Sequence, residues 1–312
     1  MAFALAPEAL EAGYGLVAHD TIASTNGDAL ARLRAGASGP FWVVSRHQSQ
    51  GRGRRGSAWQ TQPGNLAATL ALTTKADPAT IATLGFVAGL ALLRALDLCA
   101  FPSPLAGKGG VDVSRGRMRG ADGRDPSSVV PSGRHPGSRP GQALLPQGEK
   151  EAQRFRLKWP NDVLADGAKL SGILIETELL GEARAVVIGI GVNVAHAPDG
   201  LPYPTASLAS LGFEVTAEAL FRDLSAAWPE ILALWDDGRG FGTVRDLWLD
   251  RAAGLGQPVT IRAGQAILSG TFHTIDHQGQ MVLRTGEGGL KTVTAGDVYF
   301  GAAATVRPEA AA

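Results

Sequence analysis

Arg52, Arg54 and Arg55 crowd into one turn of Gln48-Ser49-Gln50-Gly51-Arg52-Gly53-Arg54-Arg55-Gly56-Ser57-Ala58-Trp59. Arginine keeps its charge at any physiological pH, and its planar fork of N–H donors matches carboxylate and phosphate oxygens. The interleaved glycines let backbone turn tightly and approach a ligand closely. Charges packed this densely repel one another, so the loop is most simply completed by a bound anion. The chemistry on offer is therefore recognition and stabilisation of a carboxylate or phosphate.

The string also fits G-x-G-x-x-G, the dinucleotide pattern, but that reading needs a helix next, with its N-terminus facing a pyrophosphate. Here Ser57 through Asn65 ends in Gln62-Pro63-Gly64-Asn65, which are turn formers. A Walker loop is excluded because no Gly-Lys-Ser/Thr closes the pattern.

Four further strings fall at loops or strand ends. Ser24-Thr25-Asn26 offers small polar groups that can cap a helix or bind a ligand. Lys158-Trp159-Pro160-Asn161-Asp162 is a turn with an amide and a carboxylate that can serve backbone or ligand. Lys169-Leu170-Ser171-Gly172-Ile173 starts a strand with a lysine, usually a surface charge. Gly189-Ile190-Gly191-Val192-Asn193 puts two glycines in a strand, which marks either close approach or sheet packing. Cys99 is the lone cysteine and sits in an apolar run, so it reads as a core thiol in a chain without disulfides. The histidines show no metal-ligand spacing, and no protein metal site is expected.

These strings need elements to hold them. Residues 16–26 read as extended, 28–33 as a helix start, and 41–45 and 66–72 as strands. Residues 79–98 read as a buried helix opened by Asp77-Pro78. Strands follow at 155–158, 163–165, 169–178 and 185–194, then helices at 217–235 and 241–253. From Gln257 on, short runs at 259–262, 270–273, 280–283 and 292–294 separated by turn residues predict a small β-barrel. Residues 103–153 hold ten glycines, six prolines and no Phe, Trp or Tyr, and read as a disordered insertion. The expected division is 1–254 for a first domain carrying the insertion, 255–302 for the barrel, and 303–312 for a tail.

The chain has 312 residues, 45% of them hydrophobic, and zero formal net charge. That balance supplies a core and gives bulk electrostatics no reason to favour nucleic acid or membrane. The apolar stretch 84–93 reads as too short to span a bilayer, and the N-terminus lacks a signal peptide's basic start. A cytoplasmic location is expected.

In order and spacing, Ser-Thr-Asn, Gly-Arg-Gly-Arg-Arg-Gly-x-x-Trp, Lys-Trp-Pro-Asn-Asp, Lys-Leu-x-Gly-Ile-Leu-x-Glu and Ile-Gly-x-Gly-x-Asn together resemble the biotin protein ligase family. The resemblance covers the chain outside 103–153. It implies an α+β fold: a mixed-sheet biotin/lipoate ligase-type catalytic domain followed by an SH3-like β-barrel. It implies ATP-dependent formation of biotinyl-5′-AMP and transfer of biotin to a lysine of a biotin carboxyl carrier protein, usually that of acetyl-CoA carboxylase. ATP and biotin would be substrates, Mg²⁺ would accompany ATP, and no tightly bound prosthetic group is implied.

Carried over by motif, Ser24, Thr25, Asn26, Gln48, Arg52, Gly53, Arg54, Lys169, Gly172, Gly189 and Gly191 would form the biotin site. Arg54, Trp59, Asn161, Asp162, Lys169 and Asn193 would meet ATP or the adenylate, and Lys169, Arg52 and Arg54 would be catalytic. The glycines would let backbone approach the ligand. Some members carry an N-terminal DNA-binding module; Ser24 lies too near residue 1 to leave room for one, so no DNA partner is expected. Homodimer formation is left open. The rivals are a lipoate or octanoate ligase of the same fold, which the tandem arginines oppose, and a non-catalytic biotin-binding module, which does not need so many phosphate-facing cations. An RNA-binding protein would need aromatic platforms and a basic balance that this chain lacks.

Overall fold

The computed structural model describes residues 2–100 and 154–300. The expected insertion at 103–153 and the tail at 303–312 lie outside the described residues.

A seven-stranded sheet organises the first part, in the order β1-β2-β3-β7-β6-β5-β4. Its strands are β1 (Gly15–Ile22), β2 (Phe41–Gln48), β3 (Leu66–Thr74), β4 (Phe155–Lys158), β5 (Asp162–Ala165), β6 (Ala168–Leu180) and β7 (Ala183–Val192). Only β1 and β2 run parallel; every other neighbouring pair is antiparallel, so the sheet is mixed. The central strands β3 and β7 are buried nearly throughout, as continuous apolar runs require when both faces are covered.

One face carries α2 (Thr25–Arg34), which packs Ala29, Leu30 and Leu33 on Phe41, Val43, Ala71, Ala185 and Val187. The other face carries α4 (Leu84–Ala100), α5 (Ala217–Trp235) and α6 (Phe241–Asp250), with Leu92, Leu96, Leu220, Leu224, Trp228 and Trp248 in the larger core. Trp42 of β2 meets Phe221 and Trp228 edge-on at 5.6 and 5.5 Å between centroids.

Several expectations shift. A short helix α1 (Pro7–Glu11) with Pro at its first turn precedes β1. The extended reading of 16–26 stops at Ile22, because Ser24 caps α2 and the helix begins at Thr25 rather than Asp28. The single helix expected over 79–98 is two, α3 (Pro78–Ala82) and α4. At the joint the Thr83 hydroxyl donates to Thr80 O at 2.6 Å and accepts from Trp235 Nε1 at 2.7 Å. Taken together, Pro78–Cys99 is long and apolar enough to cross a membrane, against the expectation from 84–93 alone. However, 78% of its most apolar window is buried in the fold, as in a core helix.

The C-terminal part is a separate five-stranded antiparallel sheet, ordered β11-β10-β9-β8-β12. Its members are β8 (Pro258–Ala263), β9 (Ala266–Ile275), β10 (Met281–Arg284), β11 (Leu290–Val293) and β12 (Asp297–Phe300). Four of these match the expected short runs; β12 adds a fifth and closes on β8, with Val298 buried opposite Ile261.

Candidate active site

The site is built on the α2 face of the large sheet, beyond the point where α2 stops covering it. Strand alternation puts Ala185, Val187, Gly189 and Gly191 of β7 on this one face. Register then sets Gly189 beside Thr69 of β3 and Gly191 beside Gly172 of β6. Where Ala185 and Val187 pack α2, the strand carries side chains; where it leaves α2, it carries none. The result is a bare floor of Gly172, Gly189 and Gly191.

Protein side chains lie on that floor. A methyl group at Gly189 would collide with the Asn26 amide, and one at Gly191 with the Trp59 indole. One at Gly172 would come within 3.1 Å of the same indole. The expectation that these glycines admit a ligand against the backbone is thus revised. The space they leave is taken by Asn26 and Trp59, which are brought there from α2 and from the loop after β2.

At one end of the floor is a polar cluster. Ser24 is the α2 cap, its hydroxyl accepting from Gly27 N at 3.3 Å, so the capping reading holds for Ser24. Thr25 and Asn26, in the first turn, point inward and are buried. Gln48 Oε1 accepts from Thr25 N (2.8 Å) and Thr25 Oγ1 (2.9 Å), while its Nε2 donates to Thr61 Oγ1 (3.2 Å). The Thr69 hydroxyl lies 2.7 Å from both Thr25 Oγ1 and Asn26 Oδ1. Asn26 Nδ2 donates to Glu176 at 2.7 Å. Hydroxyls and primary amides both donate and accept, so this cluster can address a ligand with both kinds of group.

The arginine loop arches over the cluster as a small hairpin. Arg52 pairs with Ala58, Gly53 N donates to Ser57 O (2.7 Å), and Trp59 N donates to Gly51 O (2.9 Å). Gly51 is required there, because a side chain would strike the Trp59 carbonyl. Arg54–Gly56 forms a single 3₁₀ turn at the tip, followed by extended chain, so the dinucleotide-loop geometry is absent. Arg52 reaches Glu176 at 3.1 Å, and Arg54 reaches Asn161 Oδ1 at 3.1 Å.

At the other end stand Lys169 and Asp162, with Nζ and Oδ1 2.8 Å apart and side chains 21% and 15% exposed. Lys169 sits at the head of β6, where its N–H donates to Pro204 O and its carbonyl accepts from Ala206 N. Its ammonium also faces the rings of Trp59 (5.9 Å) and Tyr203 (5.6 Å). Asn161 is tied to β6 on both sides, Nδ2 donating to Ile173 O at 2.5 Å and its carbonyl accepting from Ile173 N at 2.8 Å.

Asn193, expected to meet the nucleotide, turns inward. It is 2% exposed, its amide donates to Ala206 O at 3.1 Å, and its backbone braces Leu170 and Leu208. It ties strand β7 to the 204–208 segment that also bonds Lys169. Sequence reasoning assigned no role to Thr61, Thr69, Tyr203 or Glu176. Glu176 stood within a quoted motif, but Tyr203, between two prolines, gave no periodic or motif signal. Burial pushes the Cys99 thiol up to about 12, with the Asp223 charge adding to it, so the thiol stays protonated near neutrality. Among the described residues no group of three or more His, Cys, Asp or Glu could hold a metal ion.

Both the sequence and the fold match known proteins. Residues 21–193 match the model of the Biotin/lipoate A/B protein ligase family, and residues 254–301 match that of the Biotin protein ligase C terminal domain. A biotin--[acetyl-CoA-carboxylase] ligase of Paracoccus denitrificans is 35% identical over 288 residues, covering 89% of this chain and 97% of the relative. The ligase of the same name from Mycobacterium tuberculosis is 30% identical over 312 residues, covering 94% and 93%. Among solved structures, a biotin protein ligase from Aquifex aeolicus in complex with biotin and ATP shares the fold. Its TM-score is 0.62 at 21% identity, over 91% of this chain and 97% of that one. The chain therefore belongs to the biotin/lipoate A/B protein ligase family and carries, after it, the C-terminal domain of the biotin protein ligases.

Proposed function

We propose that this protein activates biotin with ATP and transfers the biotinyl group to one lysine of a biotin carboxyl carrier protein, that of acetyl-CoA carboxylase being the first candidate. The observation that carries this reading is the convergence of Lys169, Arg52 and Arg54 on one floor with the polar cluster of Thr25, Asn26 and Gln48. A neutral recognition end beside a cationic end suits a ligand with a ureido group at one end and a carboxylate joined to phosphate at the other.

In the first step a carboxylate oxygen of biotin attacks the α-phosphorus of ATP, and the bond to pyrophosphate breaks. In the second, the carrier amine attacks the acyl carbon, the bond to AMP breaks, and the amine loses a proton. Both steps build negative charge on oxygens, which fixed cations in a partly dry site stabilise. Lys169 meets the carboxylate and phosphoryl oxygens, Arg52 and Arg54 close over them with Gly53, and Ser24, Thr25, Asn26 and Gln48 hold biotin. Trp59 provides an aromatic face for adenine, and Asn161 and Asp162 orient Arg54 and Lys169. Mg²⁺, if carried by the phosphates of ATP, would screen their charge there. The donors at that end are cations and their paired partners, which fits holding phosphate.

We read the catalytic unit as 1–254 and the barrel as 255–302, a division supported by the end of α6 at Asp250 and the start of β8 at Pro258. A reaction that consumes ATP is consistent with a cytoplasmic setting. The direct test is intact-mass spectrometry of a purified carrier domain incubated with this protein, biotin and Mg-ATP. One added biotinyl group, dependent on ATP and lost with Lys169→Ala, supports the reading. In a parallel incubation with lipoate or octanoate, Mg-ATP and a lipoyl carrier domain, gain of a lipoyl or octanoyl group, with none from biotin in the first, transfers the assignment to the lipoate branch of the family.

A further inference from the structure

Glu176 stands on β6 opposite Val187, where the α2-covered part of the sheet meets the glycine floor. One of its oxygens, Oε2, accepts from Asn26 Nδ2 at 2.7 Å and from an Arg52 terminal nitrogen at 3.1 Å. Asn26 is 5% exposed, and the Glu176 and Arg52 side chains are 29% and 49% exposed. A single carboxylate oxygen thus joins the buried polar cluster to the outer arginine loop.

The chemistry of the two partners gives this bridge two effects. An ionised carboxylate only accepts, so the Asn26 amide must turn its NH₂ toward Glu176 and its oxygen toward Thr69. Without Glu176 nothing distinguishes the two ends of that amide so firmly. Arg52 offers five donors, and Glu176 engages one terminal nitrogen, so the guanidinium is located in space with donors to spare for an anion.

We propose that Glu176 is a positioning residue that couples recognition at Asn26 to placement of the arginine loop through Arg52; this rests on the biotin ligase reading above. Ligand that needs Asn26 in its observed orientation also favours Arg52 in its observed place, and by linkage the reverse holds.

The test uses the full chain with Glu176→Gln, Glu176→Ala, Arg52→Ala and the Glu176→Ala/Arg52→Ala pair. Calorimetry gives the Kd for biotin, and brief trypsin treatment reports cleavage at Arg52–Arg55 with and without biotin. A glutamine keeps an acceptor for Asn26 but loses the charge that holds Arg52. Glu176→Gln is therefore expected to bind biotin within about threefold of wild type, yet to be cut at the loop faster and to lose protection by biotin. Glu176→Ala is expected to weaken biotin by about 10- to 100-fold, the range of a lost charge-assisted bond, and to lose protection as well. In the double variant the two losses should fall short of adding. A purely structural glutamate would lower Tm in both variants without separating Kd from loop cleavage. Wild-type behaviour of both Glu176 variants in Kd and in cleavage would overturn the coupling while leaving the ligase reading intact. Failure of the wild-type protein itself to bind biotin would remove the reading on which it rests.

Discussion

Two glycines on one strand carry different neighbours, and in the proposed site that difference should separate two parts of the ligand. Gly189 lies under Asn26, and Gly191 lies under the indole of Trp59. Neither has a positive φ, so alanine is not strained at either; the added methyl acts through the side chain above it. Gly189→Ala must displace a buried amide that is hydrogen-bonded on both ends, and leaving such a group unsatisfied costs about 1–3 kcal/mol. That corresponds to about 5- to 150-fold in affinity, expected in the Kd for biotin. Gly191→Ala instead displaces a half-buried aromatic ring, so the expected loss is in the KM for ATP, with biotin affinity nearly unchanged. Titrating both variants with each ligand separately decides it: equal effects of the two substitutions on both ligands would show that the floor is one site without this division.

Among the elements, the loop from Gln48 to Trp59 is where structure and chemistry depend most on each other. Its hairpin is held by backbone bonds, and its tip is tied to the 158–162 turn through Arg54 and Asn161. Glycine in place of Arg54 removes that tie and frees the tip. The reactive adenylate should then escape about 10- to 100-fold faster, the worth of a bond to a charged group, and label lysines on bystander proteins. Biotinylation of an added unrelated protein measures this; faithful labelling of the carrier alone at full rate would show that the loop is not the seal.

A second element-scale case is the cap of α3. The Thr80 hydroxyl foremost, and then the N–H of Thr80 and of Ala79, hold the Asp77 carboxyl below the usual carboxylate range. A carboxyl lowered by folding contributes stability above its unfolded pKa of about 4, and that contribution disappears as pH falls through the folded value. Asp77→Ala should therefore lower Tm at about pH 7, and the gap to wild type should narrow by about pH 3.

Elements of this kind were largely legible from sequence, because apolar runs and caps are local. Strands β3, β6 and β7 and helix α5 announce themselves by periodicity, and Asp77-Pro78 by its capping chemistry. Ser24-Thr25-Asn26 is ambiguous in sequence because its residues divide the work: the first caps α2 while the next two face the sheet. What could not be read were contacts that only the sheet order creates. Glu176 meets Asn26, Trp59 meets Gly191, and β1 pairs parallel with β2, each across a separation that no spacing rule encodes. Short elements such as α1 and β12 lacked enough residues to show a period.

At the scale of the whole molecule, the Lys158–Asp162 turn is the joint between the two sheets. Its far end holds Lys169 and Arg54; its near end docks the C-terminal sheet. Trp159, 2% exposed, donates from Nε1 to Gly279 O at 2.9 Å. Gly279 sits in the turn between β9 and β10, with φ +78°, and presses close to Phe86. Phe86 in turn packs against Phe241 and Trp248. Asp276 shapes this turn by accepting from Gln278 N and Gln280 N, both at 2.9 Å. Lys158 is desolvated there, which lowers its pKa, and its ammonium faces the Phe300 ring at 5.8 Å. The C-terminal sheet is thus seated on the same five residues that position the cations, and its docking and the site's geometry should change together. Trp159→Phe keeps a large ring but removes the N–H and leaves the Gly279 carbonyl unsatisfied. The expected cost is about 1 kcal/mol, or about 2 °C in Tm for a chain of this size. If the joint works as described, calorimetry shows one unfolding transition moved down as a unit, and biotinylation falls although no ligand-facing atom has changed. Two separated transitions in wild type, with activity indifferent to Trp159→Phe, would mean instead that the C-terminal sheet is carried by the catalytic unit without helping to shape it.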